Sequence, residues 1–599
     1  MRADDPFKPE VRSRRAWQLA AFIVAGALVL AGRLFHLQVL GDDAYRLHSE
    51  RNRIRLEWVK APRGLILDRH GEVLADSRPS FTVRVVPRAL LANPAAVALL
   101  SQLLEMSPTE IEQKLAGGVR HLPRVLRRDV GFDQVSRIAE REEELPGVSL
   151  DVSNVRSYPR GALAAHVIGH VGEISETEVA TLSEAGYRAG DFLGRTGLER
   201  KYESRLRGKD GERYLEVDVR GRSVGEFSGR SPVPPVPGAS LQLWLDAGLQ
   251  ARAESLLVGR RGAVCFLDVE SGGVLALASA PTFDLNLFST GISTRDWESL
   301  NGDPALPLLN RAVQASYAPG STFKMISFAL TLEQRIAGLH QVLETPCFGS
   351  YRFGNRTFRC WEAAGHGSLD LEGALIHSCD VYFYQIAERT DVDHLAEMAR
   401  DLGLGTKTGI DLPQELSGNV PTKQWLDERY GAGKWTRGTL LNLIIGQGEY
   451  LVTPLQMARH CAALANGGRL VEPRLVWSIV PEGGEREDVP TTVQRTWDLP
   501  ERTLDRVRTA MEMVVLDDEG TGRVCRVPGY MPAAKTGTAE NPHGAPHSWF
   551  VGYAPADHPE VAFAVIAEGA GHGSEVAAPI ARKLLEYLRG PLPPAEDAS

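Results

Sequence analysis

The hydrophobic pattern opens with a single long apolar stretch. Arg12, Arg14 and Arg15 precede a run from Trp17 to Gly32 that Arg33 closes. Leu34, Phe35 and Leu37 lengthen it enough to cross a bilayer as a helix. A cleaved signal peptide, with sites at Ala25-Gly26-Ala27 or Ala31, is the rival reading. The amphipathic pattern continues through Leu37, Val39 and Leu40, which favours an uncleaved anchor over residues 17–38. Basic residues ahead of the span put residues 1–16 in the cytoplasm and the body of the chain outside.

Beyond the anchor, Ala61 to Arg69 reads as a turn and short strand. Asn93-Pro94 and Ser107-Pro108-Thr109-Glu110 each open a helix, the second with capping-box spacing. Residues 39–230 read as an elongated α+β stalk with no concentration of catalytic residue types. Ser231 to Gly238 carries too much proline for a helix or central strand, so 231–239 is expected to be a stiff connector. The periodicity then changes. Ser240–Leu245 alternates as a strand and Ala247–Leu257 reads as a helix. Ala263–Val269 and Val274–Ser279 form a hairpin that turns at Ser271-Gly272-Gly273. At the far end, Ala533–Ala539, Trp549–Tyr553 and Val561–Ala567 are strands, and Ile580–Leu588 is a closing helix. Strands at both ends with helices between them predict one sheet covered by helices, an α+β domain over 240–590. Residues 591–599 form a loose tail.

Charge narrows the function. A net charge of −9 and a pI near 6.0, with no Lys/Arg-rich face, exclude a nucleic-acid binder.

The candidate chemistry starts at Ser316 to Lys324. Pro319-Gly320 turns the chain into a helix, and Lys324 returns one turn after Ser321, so an amine shares the face of a hydroxyl. Ser-x-x-Lys recurs by chance, so partners must decide. Ser378-Cys379-Asp380 offers a second hydroxyl 57 residues on, and Lys535-Thr536-Gly537-Thr538 follows 157 residues after that. Lys535 with the hydroxyls of Thr536 and Thr538 suits a carboxylate, and Gly537 permits close backbone approach. Lys407-Thr408-Gly409 repeats the tripeptide but sits in a loop after a helix, so the site is assigned to Lys535. Neither Lys407 nor Lys434 lies in a phosphate-binding loop pattern.

Half of the six cysteines, with one histidine, crowd one window. Cys347, Cys360, His366 and Cys379 are spaced by 13, 6 and 13 residues. Three thiols and an imidazole are the donors of a closed tetrahedral zinc site. A Cys347–Cys360 disulfide with Cys379 merely buried is equally natural in an exported chain. His166, His170 and His547 are assigned no chemistry.

Ser-x-x-Lys, a second Ser motif and Lys-Thr-Gly together resemble the signature of penicillin-binding proteins and serine β-lactamases. The anchor, the stalk, Arg63-Gly64 with Asp68-Arg69, and Gly194-Arg195-Thr196-Gly197-Leu198-Glu199 resemble the class B penicillin-binding proteins over nearly the whole chain. His377 to Gln385 is most similar to the elongation-specific members. The family pattern usually ends the second motif in Asn, whose amide can donate; Asp380, when ionised, can only accept, and elongation-type members often carry Asp there.

The resemblance implies a peptidoglycan D,D-transpeptidase that β-lactams also acylate. Ser321 would attack the stem-peptide D-Ala–D-Ala carbonyl, with Lys324 as base and Ser378 as proton shuttle. Lys535, Thr536 and Thr538 would hold the terminal carboxylate, Gly537 and Asp380 would line the substrate, and the N–H groups of Ser321 and Thr538 would form the oxyanion hole. It also favours zinc at Cys347, Cys360, His366 and Cys379. Implied partners are a SEDS-family, RodA-like glycosyltransferase and elongation-complex scaffold proteins, at the inner membrane with a periplasmic catalytic domain. A class D-like β-lactamase, a penicillin sensor and a mainly scaffolding role are the competing readings.

Overall fold

An apolar segment in lipid must satisfy its own backbone hydrogen bonds, and a helix does so. The computed structural model describes residues 9–36, 54–117, 119–217, 223–542 and 544–591. Its first element is the helix Pro9–Phe35, of which Ala16–Phe35 is long and apolar enough to cross a membrane. All side chains of that stretch are exposed. The expected continuation through Leu37, Val39 and Leu40 and the tail beyond 591 lie outside the described residues.

The chain forms two compact units. In the first, residues 1–61 and 209–236, the strands Ile54–Val59, Gly211–Val217 and Ser223–Glu226 make an antiparallel sheet. The Pro-rich stretch is tied along its edge. Val233 and Glu212 exchange both backbone hydrogen bonds at 2.8 Å, as do Val236 and Lys209. Prolines at 232, 234 and 235 cost nothing there, because an edge strand needs donors on one side only.

The second unit, residues 62–208 and 237–599, holds two larger sheets. A seven-stranded sheet pairs Ile66–Leu67 in parallel with Ser240–Leu243, so chain from both sides of the Pro-rich stretch shares one sheet. Beside it the two stalk motifs meet. The Glu199 carboxylate, fully buried, takes Arg156 Nε at 2.6 Å on one oxygen and Arg63 Nε on the other. Arg63 also reaches Glu203 at 2.6 Å. Burial alone would raise the Glu199 pKa, but the Arg156 and Arg63 guanidiniums win and hold it below the usual range. The glycines of Gly194-Arg195-Thr196-Gly197 are steric requirements: a Cβ on Gly194 would lie 2.0 Å from Glu199 O.

The other sheet is antiparallel with five strands, in the order Val274–Ala280, Gly262–Asp268, Val561–Ala567, His547–Ala554 and Ala533–Ala539. The first two and last three are the strand groups read from the two ends of the domain, and the sequence between them supplies helices. Alternation sorts the strand Gly262–Asp268: Ala263, Cys265 and Leu267 pack toward Pro454–Ala465, while Val264 and Phe266 pack toward Ala247–Leu256 and Ala577–Arg589. With both faces covered, Val561–Ala567 is buried at all its residues. The Ala533–Ala539 strand pairs on one side only. Its other edge is where the chemistry collects.

Candidate active site

Gly320 bends the chain with φ of +54°, and a short 3-10 turn, Gly320–Phe323, precedes the helix Lys324–Glu333. The first turn is tighter than the α-helix expected from the sequence. Gly320 N donates to Gly446 O at 2.9 Å, and the Thr322 hydroxyl donates to Pro319 O at 2.7 Å. Ser321 stays partly exposed at the surface of this turn while Thr322, Phe323 and Lys324 are buried.

Lys324 is fully buried and its Nζ has three acceptors: Ser378 O at 2.7 Å, Ser378 Oγ at 3.2 Å and Asp380 Oδ1 at 2.7 Å. Three acceptors match the three donors of an ammonium. Ser378 adopts φ of +55°, a left-handed conformation that costs a serine about 1–3 kcal/mol and clusters at functional sites. In that conformation its carbonyl and hydroxyl both meet the amine. Asp380, expected against substrate, has both oxygens engaged inside the protein, since Oδ2 accepts from Trp361 N at 3.1 Å. Burial pushes its carboxyl up, against the pull of Lys324.

The Lys535 strand closes on the Ser321 turn. A Cβ on Gly320 would sit 2.5 Å from Thr538 O, and one on Gly537 would sit 2.7 Å from Thr322 Cγ2. Trp549 Nε1 fastens the approach by donating to Ala318 O at 3.0 Å. Lys535 is fully buried, and its Nζ donates to Thr536 O at 3.1 Å. Burial lowers its pKa well below the ordinary value, and the Lys324 cation lowers it further. The Thr536 hydroxyl is bound to Thr521 Oγ1 at 2.7 Å, whereas Thr538 Oγ1 lies 3.4 Å from His572 Nδ1. In an antiparallel strand a residue's N–H and C=O point the same way. Thr538 O faces Gly320 and accepts from Gln447 Nε2 at 2.9 Å, so the Thr538 N–H also points to the Ser321 side.

Lys407-Thr408-Gly409 is elsewhere occupied. Glu415 accepts from Thr408 N at 2.7 Å, Thr408 Oγ1 at 2.6 Å and Gly409 N at 3.1 Å, closing a loop.

Cys347, Cys360, His366 and Cys379 come together, with all ligand atoms within 4.8 Å of one another. Cys347 and Gly367 exchange backbone hydrogen bonds at 2.8 and 2.9 Å, which folds the loop back. Gly365 permits it, since a Cβ there would lie 2.2 Å from Cys347 O. The three cysteines are free thiols. Hydrogen bonding from Cys379 draws Cys347 down to about 6 and lowers Cys360 too, while Cys379 is pushed up. A tetrahedral zinc with bonds of ~2.3 Å to sulfur and ~2.0 Å to nitrogen separates S and N by roughly 3.5 Å. His366 Nδ1 lies 3.5 Å from Cys347 Sγ and 3.6 Å from Cys360 Sγ. The donor set therefore fits zinc.

Sequence reasoning did not find Trp361, Gln447, Thr521 or His572. Only Gln447 carries a local signal, its flanking glycines at 446 and 448.

A serine beside a buried lysine, a second serine on that amine and a lysine-bearing strand edge define a serine acyltransferase of the penicillin-binding type. Residues 262–586 match the family model of the penicillin-binding protein transpeptidase domain, and residues 58–243 match that of the penicillin-binding protein dimerisation domain. The chain is 33% identical to the peptidoglycan D,D-transpeptidase MrdA of Acinetobacter baumannii, covering 98% of this chain and 90% of that protein. It is similar to penicillin-binding protein 2 of Helicobacter pylori solved in complex with MreC (TM-score 0.78, 29% identity, 89% of this chain and 99% of that one). It also resembles a chain of a peptidoglycan synthase complex that coordinates polymerization and crosslinking (TM-score 0.68, 32% identity, 95% and 97%). The chain belongs to the class B penicillin-binding proteins of the penicillin-binding protein 2 type. Its activity is serine-type peptidoglycan D,D-transpeptidation. The lactamase, sensor and scaffold-only readings are not favoured.

Proposed function

We propose that Ser321 carries the acyl group, Lys324 is its base and Ser378 its proton relay, with Lys535 and Thr538 receiving the substrate carboxylate. The observation that carries this reading is the Lys324 amine, one turn from Ser321 and bonded at 3.2 Å to Ser378 Oγ. An ammonium with three acceptors has no lone pair, so the amine must first give up a proton. Asp380, at 2.7 Å and raised by burial, is the nearest group able to take it. The freed amine then takes the proton of Ser321 Oγ as that oxygen attacks the penultimate D-Ala carbonyl. Negative charge develops on the carbonyl oxygen between Ser321 N–H and Thr538 N–H. Ser378 Oγ delivers a proton to the departing D-Ala nitrogen and is reprotonated from Lys324. An amine of a second stem peptide next attacks the ester and expels Ser321, making the cross-link. A β-lactam opens on the same hydroxyl. Of the two threonines, Thr538 suits the carboxylate better, because the Thr536 hydroxyl is already spent on Thr521.

We further infer that Cys347, Cys360, His366 and Cys379 hold a structural zinc. A closed four-ligand ion supplies no reactive position. The ligand loop also positions Asp380, since Trp361 follows Cys360 directly. From its relatives, the chain is expected to work in cell elongation with a RodA-like membrane polymerase and an MreC-like scaffold. The Ala16–Phe35 helix would anchor it in the inner membrane, with the N-terminus cytoplasmic and the catalytic domain periplasmic.

Ser321→Ala is expected to abolish labelling by fluorescent penicillin while Lys407→Ala leaves it intact. Persistent labelling of the alanine variant would refute the nucleophile. Elemental analysis is expected to find one zinc per chain, lost with a lower melting temperature in Cys379→Ser. A zinc-free protein with a Cys347–Cys360 disulfide would end the metal assignment.

A further inference from the structure

Gly446-Gln447-Gly448 follows the helix Arg437–Ile444 and belongs to none of the three motifs. Its backbone lies flat on the Ser321 turn: Gly446 O accepts from Gly320 N at 2.9 Å, and a Cβ on Gly446 would meet Gly320 O at 2.3 Å. From that base the Gln447 side chain crosses to the open edge of the Lys535 strand. Its Nε2 donates to Thr538 O at 2.9 Å, and its Oε1 accepts from Glu540 N at 3.2 Å. The partners, a carbonyl and an N–H, require this orientation of the amide.

An outward C=O and the outward N–H two residues on are the pair that a neighbouring strand would engage. The Gln447 amide therefore acts as a one-residue strand on this edge. It does so where the ladder is about to end, since Ala539–His547 is the last pair of the strand. The Thr538 N–H faces the same cleft, between the glutamine clamp and Ser321.

We propose that Gln447 is a positioning residue for the oxyanion hole, holding the Thr538 N–H at its working distance from Ser321 Oγ. This rests on Ser321 being the acylated residue. An oxyanion donor acts only when it lies about 2.7–3.1 Å from the place where the negative oxygen forms. Without the clamp, the end of the strand moves away from the turn with the Thr538 N–H and hydroxyl, while Lys535, deeper in the ladder, stays in place and keeps its hold on the carboxylate. The loss therefore falls mainly on the acylation step, with a smaller loss of prior binding through the Thr538 hydroxyl.

Stopped-flow acylation of the full-length protein by a chromogenic cephalosporin separates the pre-covalent dissociation constant from the acylation rate constant. Gln447→Met keeps the volume and removes both hydrogen bonds. Gln447→Glu keeps the contact to Glu540 N and sets a second oxygen against Thr538 O. Both are expected to slow acylation about 10–100-fold, up to the scale of a misplacement of about 1 Å and short of the roughly 100–1000-fold lost when an oxyanion donor is removed outright, with Glu slower than Met. The dissociation constant should change by a smaller factor than the acylation rate constant, and the melting temperature should stay near wild type. An acylation rate constant within about threefold of wild type in either folded variant overturns the proposal, as does a loss confined to the dissociation constant. Mass spectrometry of the wild-type adduct keeps the two readings apart. An adduct on a peptide lacking Ser321 refutes the nucleophile. An adduct on Ser321 with unchanged variant kinetics refutes only the role of Gln447.

Discussion

Gly537→Ala tests how closely the Lys535 strand must approach the Ser321 turn. The added Cβ would lie 2.7 Å from Thr322 Cγ2, 3.0 Å from Trp549 Cβ and 3.1 Å from Pro319 O. Ordinary contact needs 3.4–4 Å, so strand and turn must part by roughly 1 Å. Thr322 cannot swing aside, because it is fully buried and its hydroxyl is tied to Pro319 O at 2.7 Å. Gly537 is not among the residues with positive φ, so the substitution adds bulk without backbone strain. Overpacking of this kind costs about 1–3 kcal/mol, which a domain of this size can absorb. The catalytic effect should be larger, since a displacement of about 1 Å can cost about 100-fold in rate. Acylation by fluorescent penicillin, timed by quench and gel fluorescence, is expected to slow by that factor in a protein that still melts cooperatively. Wild-type acylation at unchanged melting temperature would show that the close approach is irrelevant to the reaction.

Three other perturbations read separate parts of the molecule. Asp380→Asn removes the charge beside Lys324 and should slow acylation about 10–100-fold, the scale of a charge-assisted hydrogen bond of about 1.5–3 kcal/mol; an undiminished rate removes Asp380 from the proton path. Glu199→Gln leaves the buried Arg156 guanidinium without a counter-charge, and Arg63 with Glu203 alone, and should cost about 3–5 kcal/mol in urea denaturation, against under 1 kcal/mol if the cluster is unimportant. His460 is buried, packs against the Trp497 ring and donates its Nδ1–H to Leu402 O at 3.1 Å, and burial lowers its pKa from 6.5 to about 4. A base held neutral by the fold stabilises it fully above pH 6.5, and that stability fades as pH falls toward 4. The loss should reach about 3 kcal/mol, it should be absent in His460→Gln, and a variant that keeps the full acid slope refutes the assignment.

The apolar helix, the hairpin at 271–273 and the terminal strands were legible because each has a period that repeats within a few residues. The three motifs were legible because each packs its reactive types within four positions, and strand-like flanks were enough to prefer Lys535 over Lys407. The candidate cluster of Cys347, Cys360, His366 and Cys379 was legible from its crowding in one window, though zinc and a disulfide stayed open alternatives until resemblance was considered. The partners that set the chemistry were not. Gln447 meets Thr538 across 91 positions, and Arg63 meets Glu199 across 136. Such contacts leave no periodic trace, because nothing local in either segment depends on the other. Asp380 shows the same division: its residue type was visible, but its direction toward Lys324 and Trp361 came only with the left-handed turn at Ser378.

The sequence by itself determined which groups are candidates for the chemistry: a hydroxyl with an amine one turn away, a second hydroxyl, a lysine on a strand, and a cluster of three cysteines and a histidine. Only the tertiary structure decided which of those groups touch and how each is charged. The reason is physical. Reactivity belongs to single side chains and their near neighbours, whereas burial, hydrogen-bond partners and the separation of the Ser321 turn from the Lys535 strand are set by packing between segments far apart in the chain.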